Sequence, residues 1–166
     1  MDDKKICELV GKALELEEEG RDFYMECSKR TADENAKEMF KQLAEDEIKH
    51  YNKVVEIFND YLKKGRCEDV IPKEERTPSQ VFEDNIPGGR LNDKTDTLDA
   101  LNIGIRAEEN SIILYKKLEK ETDRMSLKPV FIRFIEEETR HKYILEKEVE
   151  YVTETGEFHD FKTITS

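Results

Sequence analysis

Glu47 and His50 stand three residues apart, and Glu138 and His141 repeat the pair further along the chain. Residues at i and i+3 leave a helix on the same face, so each pair presents a carboxylate and an imidazole side by side. Around the first pair, apolar or small residues recur in steps of four and three at Ala36, Phe40, Leu43, Val54, Ile57 and Tyr61, and the same count lands on Glu47 and His50. Both polar side chains therefore fall on the buried stripe of a helix. A buried charge is costly unless it meets an opposite charge or a metal ion.

Shifting the sequence by 91 residues lays Glu17 on Glu108, Tyr24 on Tyr115, Phe40 on Phe131, Glu47 on Glu138 and His50 on His141, with no gap. In both halves the lone glutamate precedes the Glu-x-x-His pair by 30 residues, and each half reads as a helical hairpin. Two hairpins packed face to face would gather four glutamates and two histidines into one buried layer. Without metal those carboxylates need protons or cations, and no Lys or Arg lies on the stripes at that level. Two divalent ions would balance four carboxylates and leave the histidines neutral. Carboxylate with imidazole suits iron or manganese, and the lack of thiolates argues against structural zinc. Taken singly, a glutamate on an acid-rich helix is a surface residue and a lone stripe histidine is a hydrogen-bonded core residue. It is the repeat, in register, that makes Glu17, Glu47, His50, Glu108, Glu138 and His141 candidate metal ligands.

Four helices must position them, at about 3–29, 33–63, 96–121 and 126–153, in a bundle spanning residues 1–156 with a tail at 157–166. Val10, Ala13, Gly20, Tyr24 and Cys27 step along the first stripe with Glu17 inside it, while Leu101, Gly104, Ser111, Tyr115 and Leu118 flank Glu108. The fourth stripe reads Leu127, Phe131, Phe134, Glu138, His141, Leu145. Thr31 to Glu34 has the form of a capping box, Ser126 is the expected N-cap of the fourth helix, Pro129 fits its first turn, and Gly156 ends it. Short turns inside each half make the paired helices antiparallel. The Pro- and Gly-interrupted stretch 64–95 is long enough to recross the bundle, since about 13 extended residues span about 42 Å. The expected fold is an all-α, antiparallel four-helix bundle of two hairpins joined by a long crossover.

Composition agrees with that. Charged residues make up 41% of the 166, against seven Gly and four Pro, as expected of long helices with solvent-facing sides. A net charge of -12 repels phosphate backbones and anionic lipid, so neither nucleic acid nor membrane is an expected partner. No apolar run approaches the ~20 residues that span a bilayer, and the start lacks a signal-peptide core, which leads to a cytoplasmic expectation. Three cysteines without a CxxC pair suggest no disulfide framework; Cys27 reads as a small core residue, and Cys7 and Cys67 carry no readable role. His159 has no evident partner in the tail.

A glutamate from each of two helices with Glu-x-x-His from each of the other two is the ligand pattern of ferritin-like di-iron carboxylate bundles. The chain resembles their rubrerythrin-like branch, through Glu17-Glu18-Glu19-Gly20-Arg21-Asp22-Phe23-Tyr24 and Glu45-Asp46-Glu47-Ile48-Lys49-His50, over about Asp3 to Val152. The resemblance implies two irons per chain, with manganese and zinc as alternatives, a homodimer, and an oxidoreductase that reduces hydrogen peroxide or dioxygen. Rubrerythrins proper carry a further ligand glutamate where this chain has Ser111, and they append a rubredoxin domain that this chain is expected to lack. Electrons are then expected from a separate donor such as rubredoxin. Glu47 and Glu138 are the expected bridging carboxylates and Glu17 and Glu108 the terminal ones. Tyr24 and Tyr115 could hydrogen-bond ligand carboxylates, as tyrosines do in that family, and Asp46 and Glu137 could orient a ligand histidine across the bundle. Gly20 and Ser111, each one turn past a lone glutamate, could leave room for the oxidant. The alternatives are a ferroxidase serving iron storage and a non-catalytic helical scaffold with a vestigial site.

Overall fold

The computed structural model describes residues 3–63 and 94–158. It is an all-α four-helix bundle of α1 (Asp3–Arg30), α2 (Glu34–Lys63), α3 (Lys94–Glu121) and α4 (Lys128–Thr155). Among the described residues there is no strand. α1 packs on α2, α3 packs on α4, and α1 meets α3 across the two hairpins. The expected crossover lies outside the described residues except for its end, where α3 begins, and so do Cys67 and His159. No described helix is long and apolar enough to cross a membrane.

The core has two apolar layers. One gathers Phe23, Tyr24 and Cys27 of α1, Met39, Phe40 and Leu43 of α2, Leu101 of α3 and Leu145 of α4. The other gathers Val10 and Leu14 of α1, Phe58 of α2, Tyr115 and Leu118 of α3, and Phe131 and Phe134 of α4. Each layer takes the late part of α1 or α3 with the early part of its hairpin partner, as antiparallel pairs require. The repeat survives in detail: Tyr24 stacks on Phe40 with ring centroids 6.4 Å apart and planes at 23°, and Tyr115 stacks on Phe131 with the same values. Burying aromatic rings in this way is the main driving force for hairpin docking, and truncating such a Phe to Ala costs about 3–5 kcal/mol. Between the two layers lies a polar one.

The helix ends carry two corrections. The cap of α2 is Asp33, whose Oδ1 accepts the Ala36 backbone N–H at 3.0 Å, while Thr31 Oγ1 instead accepts the N–H of Asp33 at 3.2 Å. Thr31 is thus the turn residue rather than the cap. Its repeat partner Thr122 plays the same part for Arg124 at 3.3 Å. In α4 the N-cap position is held by Leu127 in helical geometry without a side-chain cap bond, and Ser126 is not the cap. Pro129 needs no donor in the first turn and reduces what a cap must satisfy. Gly156 ends α4 at φ 77°, its N–H donating to Val152 O at 2.8 Å. Phe158 folds back against Phe40, with centroids 6.2 Å apart.

Cys27 is buried and free. Cys7 is buried and disulfide-bonded, which the cysteine count did not lead one to expect. An odd count excludes a fully paired framework, not a single bond.

Candidate metal centre

The middle of the four stripes meets in one layer. α1 brings Glu17, α2 brings Glu47 and His50, α3 brings Glu108, and α4 brings Glu138 and His141, each no more than 3% exposed. Their donor atoms form two groups, Glu17, Glu47, His50 and Glu138 on one side and Glu47, Glu108, Glu138 and His141 on the other. Within each group the atoms lie within 4.8 Å of one another, and Glu47 and Glu138 belong to both. His50 Nδ1 is 2.8 Å from Glu138 Oε1 and 3.6 Å from Glu17 Oε2. His141 Nδ1 is 3.2 Å from Glu47 Oε1 and 3.4 Å from Glu108 Oε1. The rings stack at 5.9 Å.

The surrounding bonds cross between hairpins. Tyr24 of α1 donates its hydroxyl to Glu108 Oε1 of α3 at 2.5 Å, and Tyr115 of α3 donates to Glu17 Oε1 of α1. The outer nitrogen of each histidine also points to the opposite hairpin. His141 Nε2 lies 3.0 Å from Asp46 Oδ2, and His50 Nε2 bonds Glu137 Oε2. With Nε2 carrying its proton toward a carboxylate, Nδ1 is the nitrogen left to face the layer. Two carboxylate oxygens, Glu17 Oε2 and Glu138 Oε2, are buried without a hydrogen-bond partner. Glu138 Oε2 is 3.4 Å from His141 Nδ1, within ion-pair range only. Orphaned carboxylate oxygens are expensive unless a cation completes them. Oxygen and imidazole donors with unfilled lone pairs, aimed at two shared points, are a donor set that fits a pair of divalent metal ions.

The family model for rubrerythrin matches residues 8–149. The chain belongs to the rubrerythrin family. Its fold is similar to that of a hypothetical protein from Pyrococcus furiosus, with a TM-score of 0.73, 22% sequence identity and 93% of each chain covered. No curated protein matches the chain.

In this rubrerythrin-family chain the metal-free layer balances its charge internally. Burial pushes Glu47 and Glu108 up, reinforced by the Glu138 carboxylate; Glu47 rises well above the carboxylate range and Glu108 reaches about 8. Burial pushes Glu17 and Glu138 the same way, but bonds from Glu47, His50 and Tyr115 to Glu17, and from Glu108, His141 and His50 to Glu138, outweigh it and hold both below their ordinary value. Burial also disfavours charge on the histidines, yet the facing carboxylates win, raising His50 to about 11 and His141 well above its usual value. Two imidazolium ions thus face two carboxylates, beside two neutral carboxyls. Burial raises both tyrosine hydroxyls well above their ordinary value, with Glu108 and Glu17 reinforcing it, so each stays a donor.

All six candidate ligands expected from the repeat lie in this layer, and Asp46, Glu137, Tyr24 and Tyr115 border it. Asp46 and Glu137 lie against the histidines of the opposite hairpin, and spacing alone did not reveal that Tyr24 and Tyr115 also pair with the opposite hairpin. Nor did it pick out Gln42, which donates to Asp46 at 3.1 Å, or Arg133, which donates to Glu137 at 3.1 Å. Both stand four residues before the carboxylate, and they are partners in the 91-residue repeat, so register would have found them. Phe134, with its ring 5.0 Å from His50, walls the layer on one side. Gly20 is buried, and a Cβ there would sit 3.6 Å from the Glu47 carboxylate. The room at Gly20 is therefore room beside a candidate ligand.

Proposed function

We propose that this chain is a di-iron oxidoreductase that reduces hydrogen peroxide or dioxygen with electrons from a separate donor protein such as a rubredoxin. The observation that carries this reading is the pair of four-residue groups sharing Glu47 and Glu138, with two buried carboxylate oxygens left unpartnered. Glu47 and Glu138 would bridge, Glu17 and Glu108 would be terminal ligands, and His50 and His141 would bind through Nδ1. When bound, two ferrous ions supply the two electrons that a peroxide takes on reduction. The chain's own residues do the rest. Tyr24 and Tyr115 hold one oxygen of each terminal carboxylate, and at Glu17 the other is left without a partner. Asp46 and Glu137 fix the tautomer and tilt of the two imidazoles. Phe134 and the two aromatic layers keep bulk water away. A homodimer in the cytoplasm belongs to the same reading.

The test is an anaerobic iron(II) titration of metal-free protein, followed by mixing with peroxide or air while near-ultraviolet ferric absorption is recorded. Saturation at about two irons per chain, as this ligand set requires, with faster oxidation by peroxide supports the reading. Faster oxidation by air points to a ferroxidase serving iron storage. Rejection of iron, manganese and zinc alike leaves a helical scaffold.

A further inference from the structure

The six candidate ligands and the two tyrosines match across the two halves of the centre, but the position one turn beyond the lone glutamates does not. The first half has Gly20 there, with no side chain, and the second has Ser111. Ser111 lies between Glu108 and Tyr115 on the α3 stripe, both of which take part in the layer. It is only 7% exposed. Helical hydroxyls elsewhere in the molecule turn back on their own backbone, as Thr139, Thr153 and Thr155 do with carbonyls four residues earlier at 2.6 to 2.8 Å. The Ser111 hydroxyl makes no hydrogen bond to any described residue.

The repeat says what it faces. Gly20 abuts the Glu47 carboxylate, so its counterpart Ser111 stands toward Glu138, the counterpart of Glu47. Glu138 Oε2 is buried without a hydrogen-bond partner. By the repeat, the Ser111 hydroxyl and the unpartnered Glu138 Oε2 share one half of the layer, and no bond joins them. Ser111 is 7% exposed and stands one turn from Glu108, so its hydroxyl borders the layer and is placed to donate to a group held there.

Building on the function proposed above, we infer that Ser111 is the donor for a small ligand of the hydrogen-peroxide or azide class held at the centre, and that this ligand approaches from the α3 side. Peroxide and azide accept a hydrogen bond strongly and dioxygen weakly, so the hydroxyl favours the former. Gly20 offers no such donor, which makes the two metal positions unequal.

The experiment compares wild type, Ser111→Ala and Ser111→Thr, each loaded with cobalt(II) and titrated with azide, the visible cobalt bands reporting binding. Cobalt stoichiometry is expected to stay the same in all three. Azide affinity should fall about tenfold in Ser111→Ala, the loss of one hydrogen bond to a charged group, and recover in Ser111→Thr, which keeps the hydroxyl. With iron loaded, Ser111→Ala should slow oxidation by peroxide more than oxidation by dioxygen. Equal azide affinity in Ser111→Ala and wild type overturns the donor role and leaves the di-iron reading standing. A wild type that takes up neither cobalt nor iron overturns both.

Discussion

Metal uptake by the metal-free protein should expel about four protons at pH 7. Ligation requires ionised carboxylates and neutral imidazoles, whereas the metal-free layer holds Glu47 and Glu108 as neutral carboxyls and His50 and His141 as imidazolium ions. Binding removes one proton from each. The layer is neutral before binding and neutral after, when two divalent ions face four carboxylates, so the exchange conserves charge in a medium that penalises any imbalance. The metal-loaded state carries fewer protons, so affinity rises with pH. Four protons correspond to about four decades in the overall two-metal constant per pH unit, or about 5 kcal/mol. Glu108, with its value near 8, has given up its proton above that pH, so the slope should relax to about three there. Calorimetric titration with cobalt(II) in two buffers of different protonation enthalpy gives the proton number directly, and repeating it from pH 6 to 9 gives the slope. Release of one proton or none would mean that all four carboxylates sit ionised without metal, and the charge-balance reasoning would be wrong.

Three further perturbations separate the roles within the layer. Because the Glu108 value is raised to about 8, its contribution to stability is full below the unfolded carboxylate value and is lost as pH rises toward 8; Glu108→Gln removes that penalty. Metal-free Glu108→Gln should therefore be more stable at pH 7 by about 1–3 kcal/mol while binding metal more weakly, and a lowered melting temperature would refute this. Tyr115→Phe withdraws the donor from the buried Glu17 carboxylate and should cost about 1–3 kcal/mol in denaturant unfolding; an unchanged midpoint would show that the bond contributes nothing. In Gly20→Leu the Cβ itself would only touch the Glu47 carboxylate, at 3.6 Å, and the branched carbons beyond it would press on that side chain. Cobalt titration should then saturate below two ions per chain, and full stoichiometry would mean that Glu47 has another place to go.

The bundle and the six inward residues were legible because a helix converts spacing into direction. One glutamate in the Glu17-Glu18-Glu19 run falls on the stripe of Val10, Ala13 and Tyr24, and Glu17 alone of the three is fully buried. Repetition then removed the ambiguity that any single acidic residue carries. Which hairpin each tyrosine serves was not legible. Tyr24 shares a stripe with Glu17 yet bonds Glu108, because it sits two turns along α1 and the antiparallel α3 brings the other glutamate to that level. Helix ends were read less well than faces. Thr31 and Asp33 both suit a cap, and only the turn geometry shows that Asp33 takes it. At Ser126, a side chain suited to capping stands one residue before the position that needs it.

Crossed pairing also bears on how the centre is assembled. Each group of donors takes three residues from one hairpin and one from the other: Glu138 completes Glu17, Glu47 and His50, and Glu47 completes Glu108, Glu138 and His141. Each imidazole is oriented by a carboxylate of the opposite hairpin, and each terminal glutamate is held by a tyrosine of the opposite hairpin. A hairpin alone would thus hold ligands without their supports. Docking of the apolar layers above and below forces the four stripes into register, and only then do donor atoms converge. The energy of burying Phe40, Phe131 and their neighbours is what holds four carboxyl groups together in a place that solvation would otherwise forbid.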